Sequence, residues 1–209
     1  MAENTRTAHG DQGEAGHPVR HGHLSINDLT NQAMISLQIG EEAPGLREAI
    51  TRMTHLELPA KPGQSTKAGG LAALAWAPRH WMIACPADQA EDWLARINEA
   101  IGEQFAMASS IGDGFCILRL RGDAACGVLA RGMALDLYGE AGEEGAVHHT
   151  RLAGIDTTVH VLDGGRRSFD LYIPRSLGDH IRQWLEETMR TSRIVAPFGG
   201  GAAMKSQTE

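Results

Sequence analysis

The sequence predicts an α+β fold, a single domain made of two strand–helix–strand–strand–helix halves related by a pseudo-twofold axis. The first observation is a repeat: PRHWMIACPADQAEDWLARINE at 78–99 returns about ninety residues later as RRSFDLYIPRSLGDHIRQWLEE at 166–187. The second is that strand-like and helical apolar periods follow one another in the same order in both halves. Each half would form a sheet with an apolar face that helices must cover. Hairpin connections favour mostly antiparallel pairing.

The first half begins with a clear strand pattern. MISLQIG alternates apolar and polar residues and ends at Gly40, as half-buried strands closed by a glycine do. Apolar residues then follow helical spacing, and a Gly- and Pro-rich linker comes next. The predicted elements are a strand at 34–40, a helix at 44–58, a linker at 59–70, a strand at 71–77, another strand after the turn PRH, and a closing helix at 88–102.

The second half shows the same order of patterns. CILRLRG alternates apolar and polar residues and ends at Gly122. A helical apolar period and a loop rich in Gly and Glu follow. The predicted elements are a strand at 116–122, a helix at 123–137, a linker at 138–146, a strand at 157–163, another strand after the turn GGRR, and a closing helix at 177–190.

Aligning the two halves brings residues of the same kind together. Both halves carry a glycine after the first strand and an arginine in the hairpin. An aromatic residue, a proline and a Trp-Leu pair follow the hairpin arginine in both halves. The pairs are Gly40 with Gly122, Arg79 with Arg167, Trp81 with Phe169, Pro86 with Pro174, and Trp93-Leu94 with Trp184-Leu185. This agreement favours an internal duplication.

The two ends of the chain differ from its middle. The domain is expected to span 25–195, with halves of about 25–103 and 104–195. Residues 1–24 are poor in the aromatic and β-branched apolar residues that repay ordering, so they are expected to form a disordered tail. Residues 196–209 are expected to be a flexible tail for the same reason.

Histidines in the N-terminal tail raise the question of a metal site. Imidazole is a common ligand of zinc, copper and nickel. A flexible segment must first be ordered around the ion, which weakens its affinity. We therefore assign no metal there. The histidines are His9, His17, His21 and His23.

Composition excludes some partners. The chain has 209 residues, 42% of them hydrophobic and 22% charged, and a net charge of −7, which is typical of a globular protein. Nucleic acid is an unexpected partner, because phosphate affinity comes mostly from clustered Lys and Arg. No apolar run approaches the roughly twenty residues that span a bilayer, and no signal-peptide pattern begins the chain. The expected location is the cytoplasm, with no membrane contact.

Glycine-rich segments do not predict a cofactor site. A dinucleotide site needs Gly-x-Gly-x-x-Gly between a strand and a helix. PFGGGAAM, at 197–204, follows the last predicted helix, and DGG, at 163–165, lies in a predicted hairpin. Both are interpreted as flexible or turn glycines, so no cofactor is expected on this chain.

Histidine and cysteine do not predict a catalytic site either. His148 and His149 are adjacent in a strand-like segment and would point to opposite faces. His160 alternates with valines and is interpreted as a strand residue that faces polar surroundings or an interface. Cys116 and Cys126 have apolar neighbours that would raise the pKa of their thiols. With Cys85 they make an odd number without Cys-x-x-Cys spacing, which favours buried reduced thiols. No catalytic residue is assigned.

Three segments carry a resemblance to a known family. They are LELPAKPGQSTKAGGLAALAWAPRHWMIACP at 56–86, LRLRGDAACGVLARGMALDL at 118–137 and SFDLYIPRSLGDHIRQWLEE at 168–187. The chain resembles, over about 26–190, the gamma subunit of heterotetrameric sarcosine oxidase. That fold is similar to the folate-binding domain of glycine-cleavage aminomethyltransferases. Where the family has an Asp-x-Ser-x-Arg-like segment this chain has ASSIGDGFC, and the equivalent subunit of N-methylglutamate dehydrogenase is an open alternative.

The resemblance implies a non-catalytic structural subunit of a flavin-dependent complex that oxidises secondary amines such as N-methyl amino acids. In the family, FAD, FMN, NAD and tetrahydrofolate sit on the larger alpha and beta subunits, and zinc sits on a small delta subunit. Those subunits are the implied partners. The resemblance leaves open the substrate amine and the choice between an oxidase and a dehydrogenase.

Two other functions stay open. The chain could be a stand-alone folate-binding or aminomethyltransferase-like protein with a ligand between its halves. Such a pocket needs an acidic residue beside aromatic walls, and only 5% of the residues are aromatic. It could also be a scaffolding protein of an unrelated complex.

The candidate interface lies at the repeated hairpins. Arg79 and Arg167 occupy them, and the linkers at 59–70 and 138–146 are further candidate contact segments. Loops that join rigid elements vary most freely to suit a partner.

Overall fold

Strands dominate the computed structural model, which describes residues 19–21, 23–43 and 45–192. The strands are β1 Val19–His21, β2 Leu24–Asp28, β3 Gln32–Ile39, β4 Ser65–Ala68, β5 Leu71–Ala77, β6 His80–Pro86, β7 Ala106–Ser110, β8 Phe115–Arg121, β9 Val147–Leu152, β10 Ile155–Val161 and β11 Ser168–Pro174. The helices are α1 Leu46–Thr54, α2 Ala90–Ile101, α3 Ala125–Leu129 and α4 Gly178–Ser192.

The strands form two sheets. One has five strands in the order β4-β5-β6-β3-β7, and the other has six in the order β1-β2-β8-β11-β10-β9. Every pairing in both sheets is antiparallel. The predicted α+β class is therefore confirmed.

The sheets and helices stack in four layers. Helices α1 and α2 pack on the outer face of the five-stranded sheet, and α3 and α4 pack on that of the six-stranded sheet. The inner faces of the sheets meet through a third apolar cluster, to which both sheets contribute. Its buried members are Leu29, Met34, Leu74, Met82, Ile117, Val147 and Tyr172. Strands in such a sheet are covered on both faces, so their charged residues need partners inside the protein.

The two halves exchange a strand. Strand β2 precedes β3 in the chain but pairs with β8, whereas β7 precedes β8 but pairs with β3. The remaining elements follow the same order in both halves, so the duplication is real. The repeated unit is longer than predicted: it gains the exchanged strand and a short strand, β4 or β9. Strand β4 lies inside the segment 59–70, which was predicted to be a linker.

The predicted match between Gly40 and Gly122 is wrong by one position. The N–H groups of Ile39 and Gly122 donate to the carbonyl oxygens of Arg79 and Arg167, so Gly122 is the equivalent of Ile39 in strand register. The surroundings of the two glycines are nevertheless similar. A Cβ atom at Gly40 would lie 2.7 Å from the carbonyl oxygen of Phe105, the residue directly before β7. At Gly122 it would lie 2.2 Å from the carbonyl oxygen of His23, the residue directly before β2. Both glycines therefore let an exchanged strand approach its new sheet.

The predicted match between Trp93 and Trp184 is wrong. Trp93 is the fourth residue of α2, whereas Trp184 is the seventh of α4. The eighth residues, Ile97 and Leu185, are both fully buried and are the true equivalents. A three-residue turn of 3₁₀ helix precedes each closing helix and fixes its phase. Both indoles are half-buried, each against the core of its own half.

The first helix of each half is shorter than predicted. Helix α1 ends at Thr54, because His55 adopts a left-handed conformation with φ 54°. Helix α3 ends at Leu129, and the chain then turns over 130–132, where Gly132 lies against the ring of Trp184. The N–H of Ala153 donates to the carbonyl oxygen of Gly132, which fixes this turn against the next hairpin. The apolar residues after both helices still pack into the core.

The N-terminal boundary at residue 25 was placed too late. Strand β1 and the first residue of β2 lie inside the segment 1–24, and Val19 pairs with Ile26. Residues 1–18 and 22 of that predicted tail, and the segment 196–209, lie outside the described residues. In the part of the chain that is described, no helix is both long and apolar enough to cross a bilayer.

Candidate functional site

Arg79 lies in the tight turn between β5 and β6. Its φ of 57° gives it a left-handed backbone, and its carbonyl oxygen accepts the N–H of Ile39 on the neighbouring strand β3. The guanidinium Nη1 lies 2.7 Å from Oε1 of Glu41, and both side chains are exposed to solvent. Exposed pairs of this kind contribute little to stability, so the Arg79 side chain is available to a partner.

An open groove of about 730 Å³ lies beside Arg79. We call it the Arg79 groove and define it by Glu41, Arg79, His80, Phe105 and Met107. Phe105 is 74% exposed and Met107 is 54% exposed, which is unusual for side chains of this size. Met107 belongs to β7, which forms an edge of the five-stranded sheet. The groove thus combines apolar side chains, an arginine and a sheet edge.

The second hairpin is longer and differs in backbone conformation. Oδ1 of Asp163 accepts the N–H groups of Arg167 and Ser168 at 2.8 and 3.0 Å, which closes the loop. The left-handed residue is Arg166, with φ 56°, rather than Arg167. The Arg167 guanidinium is exposed, and it lies 3.7 Å from Asp163 and 3.8 Å from Asp123. Arg79 therefore matches Arg167 in strand register but Arg166 in backbone conformation.

The two linkers contact both halves of the protein. The N–H of Gly63 donates to Ala75 in the first half, and the carbonyl oxygen of Gly63 accepts the N–H of Val147 in the second half. In the segment 138–146, Tyr138 is exposed, and the carbonyl oxygen of Gly145 accepts a hydrogen bond of 2.9 Å from Oγ of Ser65 in the first half. The linkers thus join the sheets, and parts of each stay on the surface.

The paired histidines point to opposite sides of β9, as their spacing predicts. His148 Nε2 lies 2.8 Å from the carbonyl oxygen of Ala141. His149 Nδ1 lies 2.8 Å from Oγ1 of Thr158, and its ring centroid lies 4.0 Å from that of Trp76. Each imidazole therefore has a partner within the protein.

His160 lies inside the protein, between the two sheets. It is only 1% exposed, and its Nε2 lies 2.7 Å from Oγ of Ser65. Burial lowers the pKa of His160 to about 4, so the imidazole is neutral at neutral pH. Its surroundings are polar, as the alternation with valines predicts.

The thiols behave as core groups. Cys85 and Cys126 are buried, and Cys116 is partly buried. Burial raises the pKa of the Cys85 thiol to about 11 and also raises the pKa of the other two thiols. Within the described ranges, no three His, Cys, Asp or Glu side chains converge in a way that could hold a metal ion.

Sequence reasoning missed the charged residues around His160. Arg119 on β8 and Asp170 on β11 form a bidentate ion pair between the sheets, and Lys67 lies near them on β4. Arg119 and Asp170 alternate with buried apolar residues, so each charge lies on the strand face opposite its apolar neighbours. That alternation is the signal that could have located them.

Solved structures provide the comparison. A chain of heterotetrameric sarcosine oxidase from Corynebacterium sp. U-96, solved in complex with pyrrole 2-carboxylate, matches with a TM-score of 0.74 and 21% identity. The match covers 87% of this chain and 91% of that one. The chain has the fold of this sarcosine oxidase chain. The resemblance seen in the sequence is thus confirmed at the level of the fold.

A second structure shows a related fold inside a larger protein. The glycine cleavage system aminomethyltransferase T from Bartonella henselae matches with a TM-score of 0.59 and 16% identity. The match covers 78% of this chain and 45% of that protein, so the chain spans less than half of its length. No family model matches the chain, and no curated protein matches it in sequence.

Proposed function

We propose that this chain is a non-catalytic structural subunit of a multi-subunit, flavin-dependent oxidoreductase that acts on secondary amines such as N-methyl amino acids. The observation that carries the proposal is the end-to-end match to a chain of heterotetrameric sarcosine oxidase, which covers 91% of that chain. Because the match covers nearly the whole of both chains, it favours the interpretation that they are corresponding subunits of similar complexes. The aminomethyltransferase match, over 45% of that protein, favours a shared fold only.

The Arg79 groove supports a role in assembly. Permanent subunit interfaces are rich in apolar residues, and arginine is enriched in them relative to lysine. Phe105 and Met107 offer apolar area beside Arg79, and β7 offers the edge of a sheet. A larger subunit that covers this groove would remove two exposed apolar side chains from water.

The titratable groups of the chain also favour an assembly role. Nucleophilic catalysis needs a nucleophile and a base within hydrogen-bond reach of each other. His148 and His149 instead contact backbone carbonyl or hydroxyl groups, and the thiol of Cys85 is held neutral at physiological pH by burial. These contacts orient and stabilise the fold.

The partners would carry the chemistry. In this proposal FAD, FMN, NAD and tetrahydrofolate bind to larger alpha- and beta-like subunits, and zinc binds to a small delta-like subunit, in the cytoplasm. The equivalent subunit of N-methylglutamate dehydrogenase is the other assignment within the same class. Assaying the purified complex with sarcosine and with N-methylglutamate separates the two.

Reconstitution tests the structural role. The large subunits would be purified with and without this chain, and the thermal stability, flavin content and turnover of each preparation would be measured. We expect the preparation without the chain to dissociate or unfold at a lower temperature, while any intact active site keeps its chemistry. Full stability and turnover without the chain would contradict the proposal.

A folate-binding function is the second candidate, favoured by the fold shared with the aminomethyltransferase. The test is titration of the isolated chain with tetrahydrofolate. Micromolar affinity would favour this function over the structural one.

A further inference from the structure

A cavity of about 740 Å³ opens between the two sheets, away from the Arg79 groove. We call it the inter-sheet cavity. The six-stranded sheet contributes His160, Arg119 and Asp170 to its wall, and the five-stranded sheet contributes Lys67 and Gln32. A polar wall in the middle of a four-layer fold costs free energy unless its groups are paired. The pairing of each group therefore indicates what the cavity can accept.

Arg119 and Asp170 satisfy each other's charge. Nε and Nη2 of Arg119 donate to the two carboxylate oxygens of Asp170 at 2.6 and 2.8 Å. The side chains are only 12% and 4% exposed, so the pair is a fixed part of the wall. Bidentate pairs of this kind are geometrically rigid. The carboxylate of Asp170 is therefore already paired with Arg119 and is not available to bind a cationic ligand.

His160 presents a hydrogen-bond acceptor without a donor. Oγ of Ser65 donates to the carbonyl oxygen of Gly145 at 2.9 Å, so it must accept the hydrogen on Nε2 of His160. This fixes the tautomer and leaves Nδ1 as a lone-pair acceptor. Nδ1 is buried and has no hydrogen-bond partner among the described residues. Buried polar atoms normally have a partner, so Nδ1 indicates a missing donor.

Lys67 supplies positive charge at the mouth of the cavity. Lys67 is exposed, yet desolvation lowers its pKa, although the nearby Asp170 opposes this shift. Within the described ranges Lys67 forms no ion pair. The two carboxylates of the wall already face cations, because Asp170 pairs with Arg119 and Asp163 lies 3.7 Å from Arg167. The wall therefore favours an anion.

We propose that the inter-sheet cavity binds a small carboxylate that also carries an O–H or N–H donor, with its carboxylate at Lys67 and its donor at Nδ1 of His160. A carboxylate without a donor leaves Nδ1 unpaired, and a cationic ligand meets Lys67 and Arg119. A hydroxy acid or an amino acid satisfies both sites. This binding function goes beyond the subunit role and does not depend on it.

The test compares lactate with propionate, which differ by one hydroxyl group. Each acid is titrated into the full chain while the ¹⁵N resonance of His160 Nδ1 is followed by NMR. We expect lactate to shift this resonance saturably and to bind about fivefold more tightly than propionate, since one hydrogen bond contributes about 1 kcal/mol. Equal affinities for lactate and propionate would overturn the assignment of His160 Nδ1 as the atom that accepts the ligand's hydrogen bond. No shift with either acid overturns the proposal and leaves water as the occupant of Nδ1.

A lysine variant tests the carboxylate end. Lys67→Met removes the charge and keeps the length of the side chain, and Lys61→Met removes an exposed lysine from the same segment as a control. We expect Lys67→Met to weaken lactate binding by at least about tenfold, because hydrogen bonds to charged groups contribute more than neutral ones. Lys61→Met leaves the affinity unchanged. Equal affinities of the two variants for lactate would overturn the role of Lys67. The comparison of lactate with propionate uses the unmodified chain, so it does not depend on whether either variant folds.

Discussion

Gly122 lies so close to His23 that a Cβ atom on the glycine would come within 2.2 Å of the His23 carbonyl oxygen. Its φ of 133° also belongs to a region that other residues rarely adopt. His23 leads into β2, the strand that crosses from the first half into the sheet of the second. This contact therefore lies at one of the two places where a strand crosses between the halves.

Replacing Gly122 with alanine should destabilise the protein strongly. The new Cβ collides with backbone, which cannot move aside as a flexible side chain can, so we expect a loss of about 3 kcal/mol or more in the free energy of unfolding. Gly154→Ala is the matched control, because Gly154 has φ 84° and open space around its Cβ position. It should cost only about 1–2 kcal/mol. Urea unfolding measures both; equal losses would contradict the account of the strand exchange.

Breaking the Arg119–Asp170 pair should also be costly. Asp170→Asn leaves the Arg119 guanidinium without its carboxylate in a site where both side chains are nearly covered. We expect a loss of about 3 kcal/mol in the free energy of unfolding. The double variant Arg119→Met/Asp170→Leu should recover much of this loss, because it removes both charges together.

An exposed ion pair provides the control for that measurement. Arg151 and Asp156 pair at 3.0 Å with side chains 73% and 80% exposed. Asp156→Asn should therefore change the free energy of unfolding by less than about 1 kcal/mol. If Asp170→Asn were equally mild, the buried pair would not be a fixed part of the cavity wall.

His160 should make the stability depend on pH. Burial lowers its pKa from 6.5 to about 4 in the folded protein. Between these pH values the unfolded chain binds more protons than the folded one. The contribution of His160 to the free energy of unfolding is therefore complete above pH 6.5 and falls as the pH drops toward 4. Its loss amounts to about 3 kcal/mol in the free energy of unfolding.

The His160→Gln variant isolates this effect from that of the carboxylates. Unfolding curves at pH 7 and pH 5 give the difference in stability for the unmodified chain and for the variant. We expect the unmodified chain to lose about 1.5–2 kcal/mol more than the variant over this interval. Equal losses would show that His160 titrates normally and is not buried as described.

Phe105 and Met107 should matter to assembly and not to folding. Both are exposed, so Phe105→Asp/Met107→Ser should change the free energy of unfolding by less than about 0.5 kcal/mol. Because central apolar contacts dominate interface energies, the same variant should weaken association with the large subunits at least tenfold. Gln183→Asp, on the exposed face of α4, is the control for the added charge and should bind normally.

Much of the fold was predictable, because the duplication repeats its packing pattern. Gly40 and Gly122 were predicted to close strands, and in the structure they directly follow β3 and β8. The exchanged strands themselves were missed. Strand β7 has the sequence AMASS, whose small residues show neither a strand nor a helix period. Pairing with β3 forms it, and pairing is a property of the tertiary structure.

The cavity and its ionic wall were only partly predictable. The position of His160 between two valines indicated a polar surrounding, and the structure places Ser65 there. The Arg119–Asp170 pair joins strands 51 residues apart in the chain, so its register could not be predicted from either strand alone. The Trp93–Trp184 match was wrong because a shared dipeptide suggested it, whereas the turn before each helix fixes which residues face the core.

The most direct test of the central claim is the composition of the complex that forms around this chain in the cells that express it. The full chain is purified under native conditions, and its partners are identified by mass spectrometry, by flavin absorbance and by oxidation of N-methyl amino acids. We predict that larger, flavin-carrying subunits co-purify with the chain and that the complex oxidises N-methyl amino acids. These subunits should no longer co-purify when Phe105→Asp/Met107→Ser replaces the unmodified chain. A chain that elutes alone, or with partners that carry no flavin and oxidise no secondary amine, would contradict the account.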